Sequence, residues 1–182
     1  MFVSLTVVAV VAAAVLALMN NVTAEPIRIA DQNKTEKALR EVLPTFATSQ
    51  VDTVDGMPCT SVFDDAGNLV GVAVEAISKK GFGGNLKVMY GFTPEGEIYG
   101  YQVLASSETP GLGAKADKWF QKGGKGCVVG LNPATNNIKV RKDGGEVDAI
   151  SGSTITSRAF CEAVGLAYGA FQKSNTNGGD KE

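Results

Sequence analysis

Apolar residues fill the start of the chain, alternate with polar ones through its middle, and recur at helical spacing near its end. Phe2 to Met19 is nearly all Val, Ala, Leu and Met, and no charged side chain occurs from Met1 to Ala24. About twenty apolar residues cross the hydrocarbon core as a helix, so residues 1–24 read as a transmembrane anchor. A cleaved signal peptide is the rival, because Val22-Thr23-Ala24 resembles a small-residue cleavage site. The run is too long for a signal core and no basic segment precedes it, which favours the anchor.

Residues 25–50 read as a juxtamembrane helix and linker. Asn33-Lys34-Thr35-Glu36 has capping-box spacing, Leu39, Val42 and Leu43 supply one apolar side, and Pro44 ends the helix. Ser61 to Phe63 and Leu69 to Ser78 are β-rich apolar runs joined by the hairpin signature Asp64-Asp65-Ala66-Gly67-Asn68. After Gly81-Phe82-Gly83-Gly84, the residues Leu86, Val88, Tyr90 and Phe92 alternate with Lys87, Met89 and Gly91, predicting a half-buried strand. Thr93 to Gly96 turns the chain into a further strand, Ile98 to Ala105.

A Pro- and Gly-rich loop, Ser107-Glu108-Thr109-Pro110-Gly111-Leu112-Gly113, comes next, with a short helical segment to Trp119-Phe120. Gln121 to Gly126 reads as a flexible connection, and Val128 to Leu131 and Ile138 to Val140 as short strands around the Asn132-Pro133 turn. From Ile155 the apolar positions Ala159, Val164, Ala167, Tyr168 and Phe171 fall on roughly one helix face. The predicted fold is α+β: an antiparallel sheet with flanking helices on one side, over residues 51–174, behind one transmembrane helix. Residues 175–182 read as a polar, disordered tail.

Composition narrows the chemistry. Seventeen basic against nineteen acidic residues leave a net charge of −2, with no basic tract dense enough to follow nucleic acid. Histidine is absent, which removes His-based triads and imidazole metal ligands, so no metal site is expected and a cofactor is the better source of chemistry. Cys59, Cys127 and Cys161 are far apart and read as small buried hydrophobes.

The candidate chemistry lies in Asp148-Ala149-Ile150-Ser151-Gly152-Ser153-Thr154, directly before the last helix. Unpaired N–H groups and the helix dipole favour an anion at that point, above all phosphate. Arg158, one turn on, could add positive charge. Ser and Thr are also the ordinary N-cap residues, so the same run serves as a plain cap.

Ser107–Gly113 and Asp148-x-x-Ser151-Gly152-Ser153-Thr154, taken together, resemble the FMN-binding domain family found in the G subunit of Rnf electron transport complexes. The C subunit of the sodium-pumping NADH:quinone reductase is a relative in that family. The Gly81–Gly84 stretch with the strand, turn and strand after it, and the order of anchor then domain, are similar too.

The resemblance implies FMN esterified through its phosphate to Thr154, installed by a flavin transferase that uses FAD and magnesium. Ser153 stands where the family usually has Ala, and Thr156 and Ser157 are nearby hydroxyls. Ser151, Gly152 and Ser153 would surround the phosphate, and Asp148 would orient the motif or help place the transferase's metal, or serve as a simple loop carboxylate. Glu108, Thr109, Gly111, Leu112 and Gly113 would form the loop against the flavin, with Leu112 on the ring.

The implied function is that of a membrane-anchored electron carrier within a multi-subunit ion-translocating oxidoreductase (ferredoxin/NAD electron transfer), with no independent turnover. Its partners are other membrane subunits and the transferase. The resemblance places it in the inner (cytoplasmic) membrane as a single-pass protein, with the FMN domain on the extracytoplasmic side. Arg28, Lys34, Lys37 and Arg40 after the span point faintly the other way.

Alternatives are the quinone-reductase relative and an anchored phosphate- or nucleotide-binding module without redox role. Pilin-like filament proteins also begin with an apolar helix, but Leu5 stands where those carry an acid.

Overall fold

The computed structural model describes residues 2–178, which fall into two units that divide between Lys37 and Ala38. The first unit is the largely exposed part of helix α1 (Phe2–Val42), apolar up to Ala24 and carrying charged residues from Glu25 on. At about 1.5 Å per residue this helix is long enough to cross a membrane. Pro26 lies inside it, and the expected separate helix beginning at Asn33 is not formed. Extending an existing helix adds one hydrogen bond per residue fixed, whereas a fresh start needs a new nucleus, so Asn33 has no free N–H groups to cap. The helix does end at Val42, two residues before Pro44.

The second unit is a five-stranded antiparallel meander, β1 (Thr48–Val54), β2 (Met57–Phe63), β3 (Leu69–Ser78), β4 (Leu86–Phe92) and β5 (Ile98–Ser106), in that spatial order. The Asp64 carboxylate accepts the Ala66 and Asn68 N–H groups at 2.9 and 2.8 Å, closing the predicted hairpin. Strand β1 was not anticipated. Its side chains are almost all exposed, so no apolar alternation marks it. The turn Asp55-Gly56, both at positive φ (52° and 76°), folds it onto β2.

Helix α3 (Thr154–Gly178) covers one face of the sheet, burying Ala159, Phe160, Ala163, Val164, Ala167 and Phe171 against Val74, Val88, Tyr90 and Phe92. Ile155, expected on that face, is 48% exposed, because the helix meets the sheet only beyond its first turn. The helix runs on through residues 175–178 of the expected tail, and Gly179 to Glu182 lie outside the described residues.

Helices do not lie on one side only. The last turn of α1 covers the other face, with Ala38, Val42 and Leu43 packed on Val62, Ala73, Met89 and Leu104. Strand β4 is therefore buried on both faces, not half-buried. Gly91 permits this: a Cβ there would sit 1.8 Å from the Val42 carbonyl oxygen.

Short α2 (Ala116–Trp119) follows a 3-10 turn at Gly113–Lys115. Val128 to Leu131 and Ile138 to Val140 form no strands. Gly130 and Leu131 instead bond the first residue of β5, and Val140 makes a single parallel bridge with Val147. Gln121 to Gly126 is a succession of hydrogen-bonded turns. Cys59, Cys127 and Cys161 are free, with Cys127 half-buried and the other two buried.

Candidate functional site

Two loops meet at the start of α3. The first descends from β5 through Glu108 to Gly113, and the second rises from Asp148 to Thr154. Gly152, at φ 76°, turns the second loop, and the Ser153 N–H donates to the Ile150 carbonyl at 2.9 Å. Ser157 Oγ donates to the Ser153 carbonyl and accepts the Ile150 N–H, both at 2.9 Å. One buried hydroxyl thereby clamps the loop to the first turn of the helix.

The two loops are joined through Glu108. This carboxylate is only 8% exposed; its Oε2 accepts the Thr156 hydroxyl at 2.8 Å and its Oε1 the Gly83 N–H at 3.3 Å. The surrounding glycines make the space. A Cβ at Gly113 would fall 2.5 Å from Glu108 Oε2, and one at Gly81 2.6 Å from Oε1. Glu108, expected in the loop against the flavin, is buried and turned toward Gly83 and Thr156. A buried carboxylate needs donors, and the fold provides two of them here. Thr156 and Gly83 were not expected in the site. Glycines at 81, 83 and 113 were the legible signal, since each leaves room for another group.

The outward side of this junction is different. Ser151 and Gly152 are exposed, Thr154 is half-buried, and Leu112 is 45% exposed. The Leu112 Cδ2 lies 3.6 Å from where a Gly152 Cβ would be, so the two predicted motifs do touch. Thr109 and Gly111 are exposed in the same loop, and the Thr109 carbonyl accepts the Leu112 and Ala114 N–H groups. Ser153 is nearly buried. Among the described residues, Thr154 Oγ1 makes no hydrogen bond, and neither do the backbone N–H groups of Thr154, Ile155 and Thr156. The helix N-terminus is open to an anion.

Two charged candidates are committed elsewhere. Arg158 forks onto Asp143, with Nε and Nη2 each 2.7 Å from a carboxylate oxygen, so it does not supply a free positive charge to the helix start. That bond holds the Asp143 carboxyl below its usual range. Asp148 pairs with Arg141 at 2.6 Å, while its carbonyl accepts the Trp119 indole N–H at 2.8 Å. Burial pushes the Cys161 thiol up to about 12, which leaves it inert behind the site.

The FMN-binding domain family matches residues 81–169, a span that contains both loops. The G subunit of the ion-translocating oxidoreductase complex of Vibrio parahaemolyticus is 34% identical over 178 residues, covering 88% of this chain and 83% of that one. The protein of the same name from Methanosarcina acetivorans is 36% identical over 173 residues, covering 89% and 88%. A crystal structure of Shewanella oneidensis NqrC superposes with a TM-score of 0.45 at 24% identity, over 72% of this chain and 68% of that one. With an FMN-binding domain over residues 81–169 and such identity along nearly its whole length, the chain belongs to the family of G subunits of ion-translocating oxidoreductase complexes.

Proposed function

We propose that this chain is a membrane-anchored electron carrier of an Rnf-type ion-translocating oxidoreductase, with FMN esterified through its phosphate to Thr154. The relatives' names supply the complex, and the domain family supplies the cofactor. One observation carries the attachment atom. Of the hydroxyls on the first helical turn, those of Thr156 and Ser157 are buried and bonded, while that of Thr154 is half-exposed and unbonded among the described residues.

The residues fit a phosphate there. Three N–H groups without partners among the described residues lie at the helix start, and Gly152 lets the group approach the backbone closely. A flavin transferase would join the Thr154 oxygen to phosphorus as the pyrophosphate of FAD breaks. AMP would leave and the hydroxyl would lose its proton.

FMN bound in this way supplies one- and two-electron redox chemistry. The chain's own task is positioning. Leu112 offers an exposed apolar surface beside Gly152 for a ring, and Glu108 holds that loop against the helix. A covalent ester removes the need for a deep pocket, so the reactive edge stays open to neighbouring subunits. The α1 anchor keeps the domain near them at high effective concentration. The domain faces the extracytoplasmic side in this reading, as the family resemblance implies.

The test is intact mass and peptide mapping of the full chain made together with a flavin transferase. One FMN less one water should appear on the peptide containing Thr154, vanish in Thr154→Ala and persist in Ser151→Ala. Protease added outside spheroplasts should release that peptide. No mass gain with an active transferase removes the covalent-carrier reading, and a protected peptide reverses the orientation.

A further inference from the structure

Next to the proposed FMN site lies a cationic face that the site itself does not use. Lys115, Lys118, Lys122 and Lys125 are all exposed, and Asp117 is the one acidic residue between positions 109 and 142. This excess of positive charge stands out in a chain whose net charge is −2. None of the four lysines forms an ion pair among the described residues. Lys115, Lys118 and Lys125 line a shallow concavity of about 430 Å³ together with Ala114, Trp119, Gly123, Gly124 and one carboxylate, Asp117, so its cations outnumber its acid three to one. Lys122 lies outside it, lining a second concavity with Glu41 and Glu97.

Another concavity of the domain is different. There Lys80 pairs with Glu162 at 2.6 Å and Arg158 with Asp143 at 2.7 Å, so two of its cations are already compensated.

The lysine face is rigidly tied to the fold and to the site. Tyr101 Oη donates to the Ala116 carbonyl at 2.6 Å and accepts the Phe120 N–H at 3.2 Å, fixing α2 to β5. Gln121 Nε2 donates to the Tyr101 carbonyl at 2.7 Å. Gly124 and Gly126 donate to the Gln121 and Trp119 carbonyls at 2.9 and 3.3 Å. The Trp119 indole, part of the lining, bonds the Asp148 carbonyl at the start of the Asp148–Thr154 loop. Lys115 follows Leu112 by three residues. Flexible charges on a fixed surface, beside an exposed redox site, suit brief and salt-sensitive encounters with an oppositely charged protein.

We propose that the face formed by Lys115, Lys118 and Lys125 around Trp119, with Lys122 at its margin, is the docking surface for the acidic surface of a redox protein partner. It rests on the carrier function proposed above. One electron crosses the contact per encounter, one side being oxidised as the other is reduced, and no bond forms.

Two probes of opposite charge test this: flavodoxin, an acidic redox protein, and cytochrome c, a basic one. Stopped-flow electron exchange would be measured with the flavinylated full chain in neutral detergent. Exchange with flavodoxin should slow roughly tenfold or more as salt rises from about 0.02 to 0.5 M. The variant K115E/K118E/K122E/K125E should slow it by a similar factor and speed reduction of cytochrome c. Rates within about twofold of wild type for both probes overturn the proposal.

Carbodiimide cross-linking of the unmodified chain to flavodoxin provides a second measurement that needs neither flavin nor variant. Cross-links should concentrate on the four lysines, and an even spread over Lys79, Lys139 and Lys142 overturns the assignment. A chain that gains no FMN would sink the carrier function, while the cross-link map still decides the surface.

Discussion

The first turn of α3 has two sides that differ in chemistry although they share one stretch of sequence. On the inner side, Thr156 and Ser157 are buried and every hydroxyl is bonded, to Glu108 or to the Ser153 carbonyl. On the outer side, Ser151 is exposed and Thr154 half-exposed, with the Thr154 hydroxyl and three N–H groups left open among the described residues. The inner hydroxyls build the turn and the outer one is presented by it. A run of Ser and Thr thus divides into scaffold and site according to which residues the helix rotates toward the interior and the Glu108 loop.

Breaking the inner side should have the larger effect. Glu108→Ala leaves the Thr156 hydroxyl and the Gly83 N–H without their acceptor inside the fold, a loss of about 3 kcal/mol by chemical denaturation. It should also slow attachment of FMN at Thr154, because the Leu112 loop loses its tie to the helix. Unchanged stability and unchanged attachment would show that the buried carboxylate is idle.

Ser157→Ala removes one clamp and leaves the buried Ile150 N–H unbonded, for about 1–2 kcal/mol in the same measurement. Its effect on attachment should track the fraction of folded protein, unlike that of Thr154→Ala, which should abolish attachment in fully folded chain.

The smallest effect is expected outside the junction, at Arg158. Because Arg158 lowers the folded-state pKa of Asp143, the pair adds stability above the ordinary carboxylate range and loses it as pH falls through the lowered value. The Tm difference between wild type and Arg158→Ala should therefore be constant down to about pH 5 and close on further acidification. A difference that widens in acid would reverse that assignment. The pair is exposed, so the difference should be slight throughout.

Membership of the oxidoreductase subunit family leaves no room for the pilin-like filament suggested by the apolar start. The motif that mattered there was not the first helix but the pair of loops far from it.

Local chemistry alone determined a good part of this protein. The Asp64–Asn68 hairpin, the alternation in β4, the end of α1 before Pro44 and the start of α3 after Ser-Gly-Ser are all set by residues within a few positions of one another. Turn chemistry, proline sterics and apolar period act at that range.

Other features were decided only when distant segments met. Strand β1 has no apolar period of its own and exists because β2 pairs with it across Asp55-Gly56. The second buried face of β4 depends on Val42 and Leu43 arriving from α1 over Gly91. Glu108 became a buried strut because Thr156 and Gly83 offered donors from 48 and 25 residues away. Arg158 turned to Asp143 for the same kind of reason. A charged side chain takes its role from whichever partner the packed fold sets within hydrogen-bond reach, and sequence spacing does not encode that distance.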